Sequence, residues 1–528
     1  MDLRFISIIL TTIACIDCLK ILIIYPTPSY SHQRAILALS ERLLKDGHKL
    51  FVISPNAVPG MESNNNYTYV DLSFSYDYFS ERKSDATVNL QAHIRKWDLP
   101  ALVQNFARMA KIQFLSDQFK DFKSRVEAER LKFDLIIVET FFIPWQSVLK
   151  PHVGPTPIIS MSTVVQDFMG EDAAGSIAHF SYLPSIFSNY RPNMNLFQKI
   201  ENWVSDYYVR SGYWSALEAT ARSYFNEVYG PGTEKLVDGC WGQVDLVLMA
   251  TNSMYYYPRA LTPNVVEIGP LHLKTPEKLP KNLQHWLDGA EKGVIYFSLG
   301  SNMKSKSLPK DVRENFLKFF KQLPPGYRVL WKWELDTKIP GQPENVLSQK
   351  WMPQDSVLNH PKVKVFITQG GLQSFQETVH YGVPTVGIPW FGDQECMVAK
   401  MVDAEIGTQL LPHELHSYEK IKSALEAVLY DEKYARNMKR HSLISRDFTA
   451  RGMDQAVFWV EHVAKHGGAS HLRPATADTT LFQYFCLDII SVILVISCFI
   501  LGIVFLIVKS LVSAFFLTVK SKTKTKTE

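Results

Sequence analysis

Residues 20–54 read KILIIYPTPSYSHQRAILALSERLLKDGHKLFVIS. Ile21 to Tyr25 is an uninterrupted apolar run, stopped by Pro26 and Pro28. Ile36, Leu37, Leu39, Leu43 and Leu44 follow on or near one helical face as far as Gly47, and Leu50 to Ile53 is a second apolar run. A strand that is apolar at every position has both faces covered. An amphipathic helix between two such strands supplies the crossover of a parallel sheet. The stretch therefore predicts strand, helix, strand: the start of an α/β fold.

Leu135 to Val138 reads as another strand of that sheet. A second series follows the proline-rich stretch 258–280, with strands predicted at Gly293–Phe297, Val329–Trp331, Val363–Thr368 and Thr385–Pro389. Two α/β units in tandem predict a cleft between two Rossmann-like domains, with ligands at the carboxyl ends of the strands. Ser181 to Trp214 is rich in aromatics and reads as a mostly helical insertion in the first unit.

The length of 528 residues also calls for at least two large domains. Hydrophobic residues make up 46% and charged residues 20%, an ordinary globular balance. The net charge is only +4, and Lys509, Lys520, Lys522, Lys524 and Lys526 outweigh it by themselves. The nearly neutral body gives no support to nucleic-acid binding. Six cysteines without metal-ligand spacing argue against a disulfide scaffold or a structural zinc site.

Both ends carry targeting signals. Arg4, the apolar run Phe5 to Ala14 and small residues up to Cys18 follow the order of a secretory signal, residues 1–18. Ile489 to Val508 is uncharged and long enough as a helix to span roughly 30 Å of hydrocarbon. The lysine-rich tail at 509–528 then stays cytosolic, which predicts a single-pass type I protein with its body in the lumen. The final Lys524-Thr525-Lys526-Thr527-Glu528 resembles a dilysine retrieval signal for the endoplasmic reticulum. Asn66-Tyr67-Thr68 is a candidate glycosylation site on the lumenal side.

The chemistry is concentrated between Trp351 and Gln394. This region holds Trp-Met-Pro-Gln-Asp at 351–355, Phe-Ile-Thr-Gln-Gly-Gly-Leu-Gln-Ser at 366–374, Glu377, Gly-Val-Pro at 382–384 and Pro-Trp-Phe-Gly-Asp-Gln at 389–394. The paired glycines end a buried strand just before a helix, where backbone N–H groups and the helix N-terminus favour an anion. A Gly-Gly turn alone is more often just a turn. The whole constellation resembles the UDP-glycosyltransferase family, in its glucosyl and glucuronosyl branch and with an insect-like cast. The Pro26-Thr27-Pro28-Ser29-Tyr30-Ser31-His32 opening, Ile295 to Ser301 and Ala456 to Glu461 carry the resemblance along nearly the whole chain.

That resemblance implies the GT-B fold. Residues 19–260 would form the acceptor-binding domain and 261–470 the UDP-sugar-binding domain. A juxtamembrane segment at 471–488 and a transmembrane helix at 489–508 would follow. Trp351 would stack on uracil, Gln354 would bond the nucleoside and Glu377 the ribose hydroxyls. Ser301, Gln369, Gly370, Gly371 and Ser374 would surround the diphosphate, while Asp393 and Gln394 would grip the sugar. His32 would be the general base and Glu139 its carboxylate partner, an imidazole near neutral pH suiting removal of a hydroxyl proton. No metal or other cofactor is implied beyond the co-substrate, UDP-glucose or another UDP-sugar.

Three departures from the family pattern bear on activity. Glu139 stands where many relatives have aspartate, and Gln369 where many have histidine, so a positive charge cannot arise there. Thr251 replaces the arginine that precedes Asn-Ser in glucuronosyl members, which favours glucose over glucuronic acid. The expected reaction is inverting hexosyl transfer to a hydroxyl of a small lipophilic acceptor, a detoxification-type activity. The rivals are a catalytically silent UDP- or lipophile-binding relative, a glycosyltransferase acting on polymers or membrane lipids, and a membrane-anchored structural protein. Aromatics at Tyr76–Phe79 and Phe187–Tyr190 are candidates for an acceptor pocket. A homo-oligomer stays open.

Overall fold

The computed structural model describes residues 18–80, 94–165, 168–301 and 303–524. The signal sequence expected at 1–18 and the last four residues of the lysine tail fall almost entirely outside that range.

The first sheet contains β1 (Lys20–Ile24), β2 (Lys49–Ser54), β3 (Tyr67–Asp71), β4 (Leu135–Glu139), β5 (Ile158–Ser162), β6 (Leu246–Met249) and β7 (Val265–Glu267). Its strand order is β3-β2-β1-β4-β5-β6-β7, and its pairings are parallel. The order reverses between β1 and β4, so the connections leaving these two neighbours diverge and open a crevice at their carboxyl ends. The register sets Ile24 beside Val138. Residues just beyond them, from Tyr25 onward and at Glu139, therefore meet at the crevice.

The second sheet contains β8 (Gly293–Ser298), β9 (Tyr327–Lys332), β10 (Val346–Gln349), β11 (Val363–Thr368), β12 (Thr385–Gly387) and β13 (Gly407–Gln409), in the order β10-β9-β8-β11-β12-β13. Its pairings are also parallel. Here the reversal lies between β8 and β11, and Ser298 pairs with Thr368 at the strand ends. The loops that follow, Leu299 to Ser301 and Gln369 to Gly371, stand at this second crevice.

Both faces of each sheet are covered, as the continuous apolar runs require. Ile21, Ile23, Leu50 and Val52 pack with Leu39 and Leu43 of the helix Tyr30–Lys45. The alternate residues Leu22, Ile24, Phe51 and Ile53 pack with Val103, Ala107 and Phe114 on the other face. In the second sheet Ile295 and Phe297 meet Phe316 and Phe320, while Val294 and Tyr296 meet Leu283 and Leu287.

The chain does not divide cleanly at residue 260. β7 is the last strand of the first sheet, although it lies beyond that point. The helix Gly452–His466 also returns to the first sheet, where it packs beside the helix Tyr30–Lys45 and β4 and buries Ala456, Val460 and Val463 in the core that holds Ile21, Ile23, Leu135 and Ile137. The aromatic insertion is helical only from Leu196, where the 34-residue helix Leu196–Tyr229 begins with an Asn195 capping box. Much of 181–195 has no regular structure, consistent with Pro184 and Pro192. Cys240 and Cys396 are buried free thiols, pushed up to about 12 by burial.

Residues 475–528 form a second unit. Its helix Leu487–Lys524 is longer than the expected span, and Leu487–Val519 within it is apolar enough to cross a membrane. Lys509 lies inside this helix rather than at its end.

Candidate active site

His32 occupies the first turn of the helix that follows β1, with about a third of its side chain exposed. Its Nδ1 lies 3.5 Å from Glu139 Oε1 and 3.3 Å from Thr163 Oγ1. Glu139 ends β4 and is buried. Thr27 fixes it: the backbone N–H donates to Oε2 at 3.2 Å and the hydroxyl to Oε1 at 2.7 Å. Nδ1 is thus the ring nitrogen turned to the carboxylate.

The pair opens onto a cavity of about 500 Å³. Leu99, Leu102, Phe106, Phe141, Met169 and Phe187 give this cavity a mainly apolar wall, and Tyr76 contributes a ring. Of the aromatic stretches singled out in the sequence, Tyr76 and Phe187 reach the cavity. Tyr190 instead bonds Glu201.

A second cavity of about 430 Å³ lies against the ends of β8 and β11. Ser301, Trp351, Gln354, Gln369, Gly371, Ser374 and Glu377 all line it, so most of the expected donor set converges. Trp351 is 62% exposed, an unusual position for a large aromatic, with Lys332 Nζ 5.2 Å above its ring and Tyr30 meeting it edge-on. Gln354 accepts from the Tyr296 hydroxyl at 3.2 Å and donates to Glu377. Gly370 adopts a left-handed φ of 79°, and a Cβ there would stand 2.3 Å from Val398 Cγ2. Only glycine fits, and the turn delivers Gly371 to the N-terminus of the helix Leu372–Tyr381.

Two expected donor residues stand elsewhere. Asp393 belongs to the wall of the apolar cavity, and burial raises its carboxyl while the nearby His32 and the Leu372 N–H oppose that rise. Gln394 is buried and uses Oε1 to accept the backbone N–H groups of Trp390, at 2.8 Å, and Phe391. Thr251 is wholly buried and lines neither cavity. Asn66 immediately precedes β3 and is partly exposed.

The two cavities share Tyr30 and Ser301, so a group bound in one abuts a group bound in the other. Side chains absent from the sequence expectations stitch the two sides together. Arg34, one turn after Tyr30, pairs with Glu377 and with Asp355 at 2.6 Å. Burial works against the Arg34 charge, but the two carboxylates hold it above its usual value. Burial likewise raises Glu377, with Arg34 opposing. His272 Nε2 lies 3.7 Å from the same carboxylate, and burial drives this imidazole well below its usual range. Gln373 donates to the Thr163 carbonyl at 3.0 Å, which connects the donor-side helix to the residue beside His32. An arginine amid the apolar positions of a helix was the one available signal for Arg34.

Two parallel sheets with cavities at adjoining switch points, one apolar with a histidine–carboxylate pair and one polar at a helix N-terminus, define a GT-B glycosyltransferase. The solved kitacinnamycin glycotransferase has this fold (TM-score 0.54, 18% identity, covering 84% of this chain and 98% of that one). So does the calicheamicin glycosyltransferase CalG4 (TM-score 0.52, 15% identity, covering 84% and 99%). The family model described as UDP-glucoronosyl and UDP-glucosyl transferase matches residues 20–525, and the chain belongs to that family. UDP-glucosyltransferase 2 of Dactylopius coccus is 30% identical over 95% of each chain. UDP-glucuronosyltransferase 2B7 of Homo sapiens is 28% identical over 91% of this chain and 90% of its own. The protein is thus an enzyme that transfers sugar from a UDP-sugar to an acceptor.

Proposed function

We propose that the sugar is a hexose, glucose in the first instance, and that it passes with inversion to a hydroxyl of a small lipophilic acceptor. The observation that carries this reading is the His32–Glu139 pair at the wall of an apolar cavity that adjoins the polar one. In this reading the acceptor lies in the apolar cavity and His32 Nε2 takes its proton as the oxygen attacks the anomeric carbon. Glu139 holds the tautomer and stabilises the imidazolium. Trp351 stacks on uracil, Gln354 bonds the nucleoside and Glu377 the ribose. Ser301, Gln369, Ser374 and the Gly370-Gly371 backbone hold the diphosphate. The helix N-terminus at Leu372 favours the charge that grows on UDP. Asp393 meets a sugar hydroxyl from the wall shared with His32, and Gln394 contributes through its amide nitrogen.

The sugar preference rests on the family pattern alone, in which Thr251 stands where glucuronosyl members carry an arginine before Asn-Ser. The first-sheet unit is assigned to the acceptor and the second-sheet unit to the donor. The helix Leu487–Lys524 is assigned as a membrane anchor that keeps the body in the lumen of the endoplasmic reticulum.

The test is glycoside formation by the membrane-bound enzyme and by His32→Ala, with UDP-glucose and UDP-glucuronic acid supplied separately to a panel of phenols and alcohols. Product from UDP-glucose with wild type only is the expected result. Product from UDP-glucuronic acid alone overturns the sugar assignment. Saturable UDP binding without turnover across the panel overturns the catalytic reading.

A further inference from the structure

The helix Leu196–Tyr229 is inverted over its first three turns. Its inward positions are polar: Asn202, Ser205 and Asp206 are all buried. Asn202 accepts the Ser185 N–H at 2.8 Å and donates to the Leu183 carbonyl at 2.9 Å, while Ser185 donates to Asp206 at 3.0 Å. These bonds fix the rotation of the helix, so the outward face is set as firmly as the inward one. That outward face is Phe197, Ile200, Trp203, Val204, Tyr207 and Tyr208, between 43% and 77% exposed and without a charged residue. Trp203 stacks with Tyr207, and exposed Trp97 extends the patch through Tyr208.

Ordinary surface helices bury the apolar stripe and expose the polar one. A contiguous apolar patch on the outside marks a contact face. We propose that this face lies on the surface of a lipid bilayer. Two observations select lipid. The chain carries an apolar helix of 33 residues long enough to span a membrane, so a tethered body meets lipid at high effective concentration. The patch also mixes aliphatic side chains with Trp and Tyr, whose apolar rings and polar tips suit the headgroup boundary.

The same segment forms part of the acceptor cavity, through Ile186 and Phe187 before the helix and Tyr213 further along it. Lipid contact thus brings the apolar cavity to the phase in which lipophilic acceptors concentrate. This last step rests on the acceptor reading above, whereas the lipid contact does not.

The test uses the full chain in phosphatidylcholine vesicles whose acyl chains carry bromine near the headgroup, with tryptophan emission as the readout. Trp351 is similarly exposed but lines the polar cavity, so it serves as the control. The expected result is quenching that falls clearly in Trp203→Phe and not in Trp351→Phe. Equal quenching in wild type and Trp203→Phe overturns the proposal. So does unquenched Trp203 in a dimer that a Phe197→Ser/Tyr207→Ser variant dissociates, which would give the face to a second copy. In vesicles that double variant should raise KM for a lipophilic acceptor about threefold or more, with KM for the UDP-sugar unchanged. Intact quenching with unchanged acceptor KM overturns the acceptor step alone. Failure of the transferase reading instead would appear as no turnover with quenching intact.

Discussion

The Arg34 guanidinium, carried on the helix after β1, is paired with the buried carboxylate of Glu377 on the helix after β11. The carboxylate proposed to meet the ribose is therefore balanced by a cation from the first-sheet unit, so in that reading donor binding would depend on where that unit is placed.

Arg34→Ala should be strongly destabilising, by about 3–5 kcal/mol, because it leaves Glu377 buried without its cation. Adding Glu377→Gln should recover much of that loss, since the uncompensated charge disappears. Chemical denaturation of the four proteins of a double-mutant cycle checks this. Additive losses would show that the pair is not coupled.

Thr27→Val removes the hydroxyl that holds Glu139 Oε1 at 2.7 Å, leaving the backbone N–H in place. A lost hydrogen bond to a buried carboxylate is worth about 1.5–3 kcal/mol. The expected result is a kcat lowered about tenfold or more, with KM for the UDP-sugar unchanged. Steady-state kinetics with each substrate varied in turn separates this from a folding defect.

Gly370→Ala should impair both folding and UDP binding. Its Cβ would stand 2.3 Å from Val398 Cγ2 in a left-handed backbone, and overpacking alone costs about 1–3 kcal/mol. Val398→Ala in the same chain should restore part of the melting temperature, while the backbone cost stays. No rescue would mean that the clash is not what excludes alanine.

His272 predicts a pH dependence. Burial lowers its folded-state pKa well below the ordinary 6.5. The neutral imidazole is thus favoured by folding, and its contribution is fully present above about pH 6.5. As pH falls below that value the unfolded chain binds a proton that the folded protein refuses, and stability declines towards the folded pKa. Melting temperature followed from pH 7.5 to 5 should fall less steeply in His272→Gln than in wild type.

Burial on both faces makes a strand legible only when its apolar run is long and unbroken. β1, β2, β4 and β8 are such runs, and their ends were readable to within a residue or two. β5 and β6 are just as buried but were not read, because Ser160 and Ser162 interrupt the first and the second has only four residues. The edge-side strands β3 and β10 carry partly exposed residues and were also missed. β7, β12 and β13 have three residues each, too few for a period to show. β12 was read, as part of the longer stretch Thr385–Pro389 in the second α/β series, and the other two were missed. His32 and Glu139 could be named through the family resemblance, His32 by the Pro26–His32 opening and Glu139 by its place at the end of an apolar strand where many relatives have aspartate. Arg34 and Glu377 are 343 residues apart, and their contact depends on how two separately folded sheets face each other. Nothing local encodes it. Asp393 and Gln394 show the opposite limit: a motif names them together, yet the turn into the helix Gln394–Asp403 sends one to the cavity wall and folds the other onto its own backbone.

The return of the helix Gly452–His466 to the first sheet has a consequence for biosynthesis. The ribosome delivers β1 more than 400 residues before Val460, yet the core that holds Ile21 and Ile23 is completed only by that helix. During most of translation one apolar face of the earliest sheet is unfinished, a state prone to wrong associations. Truncation before residue 452 should give an aggregating chain rather than an isolated acceptor unit. That face is closed only when the helix Gly452–His466 emerges, just ahead of the apolar helix that follows.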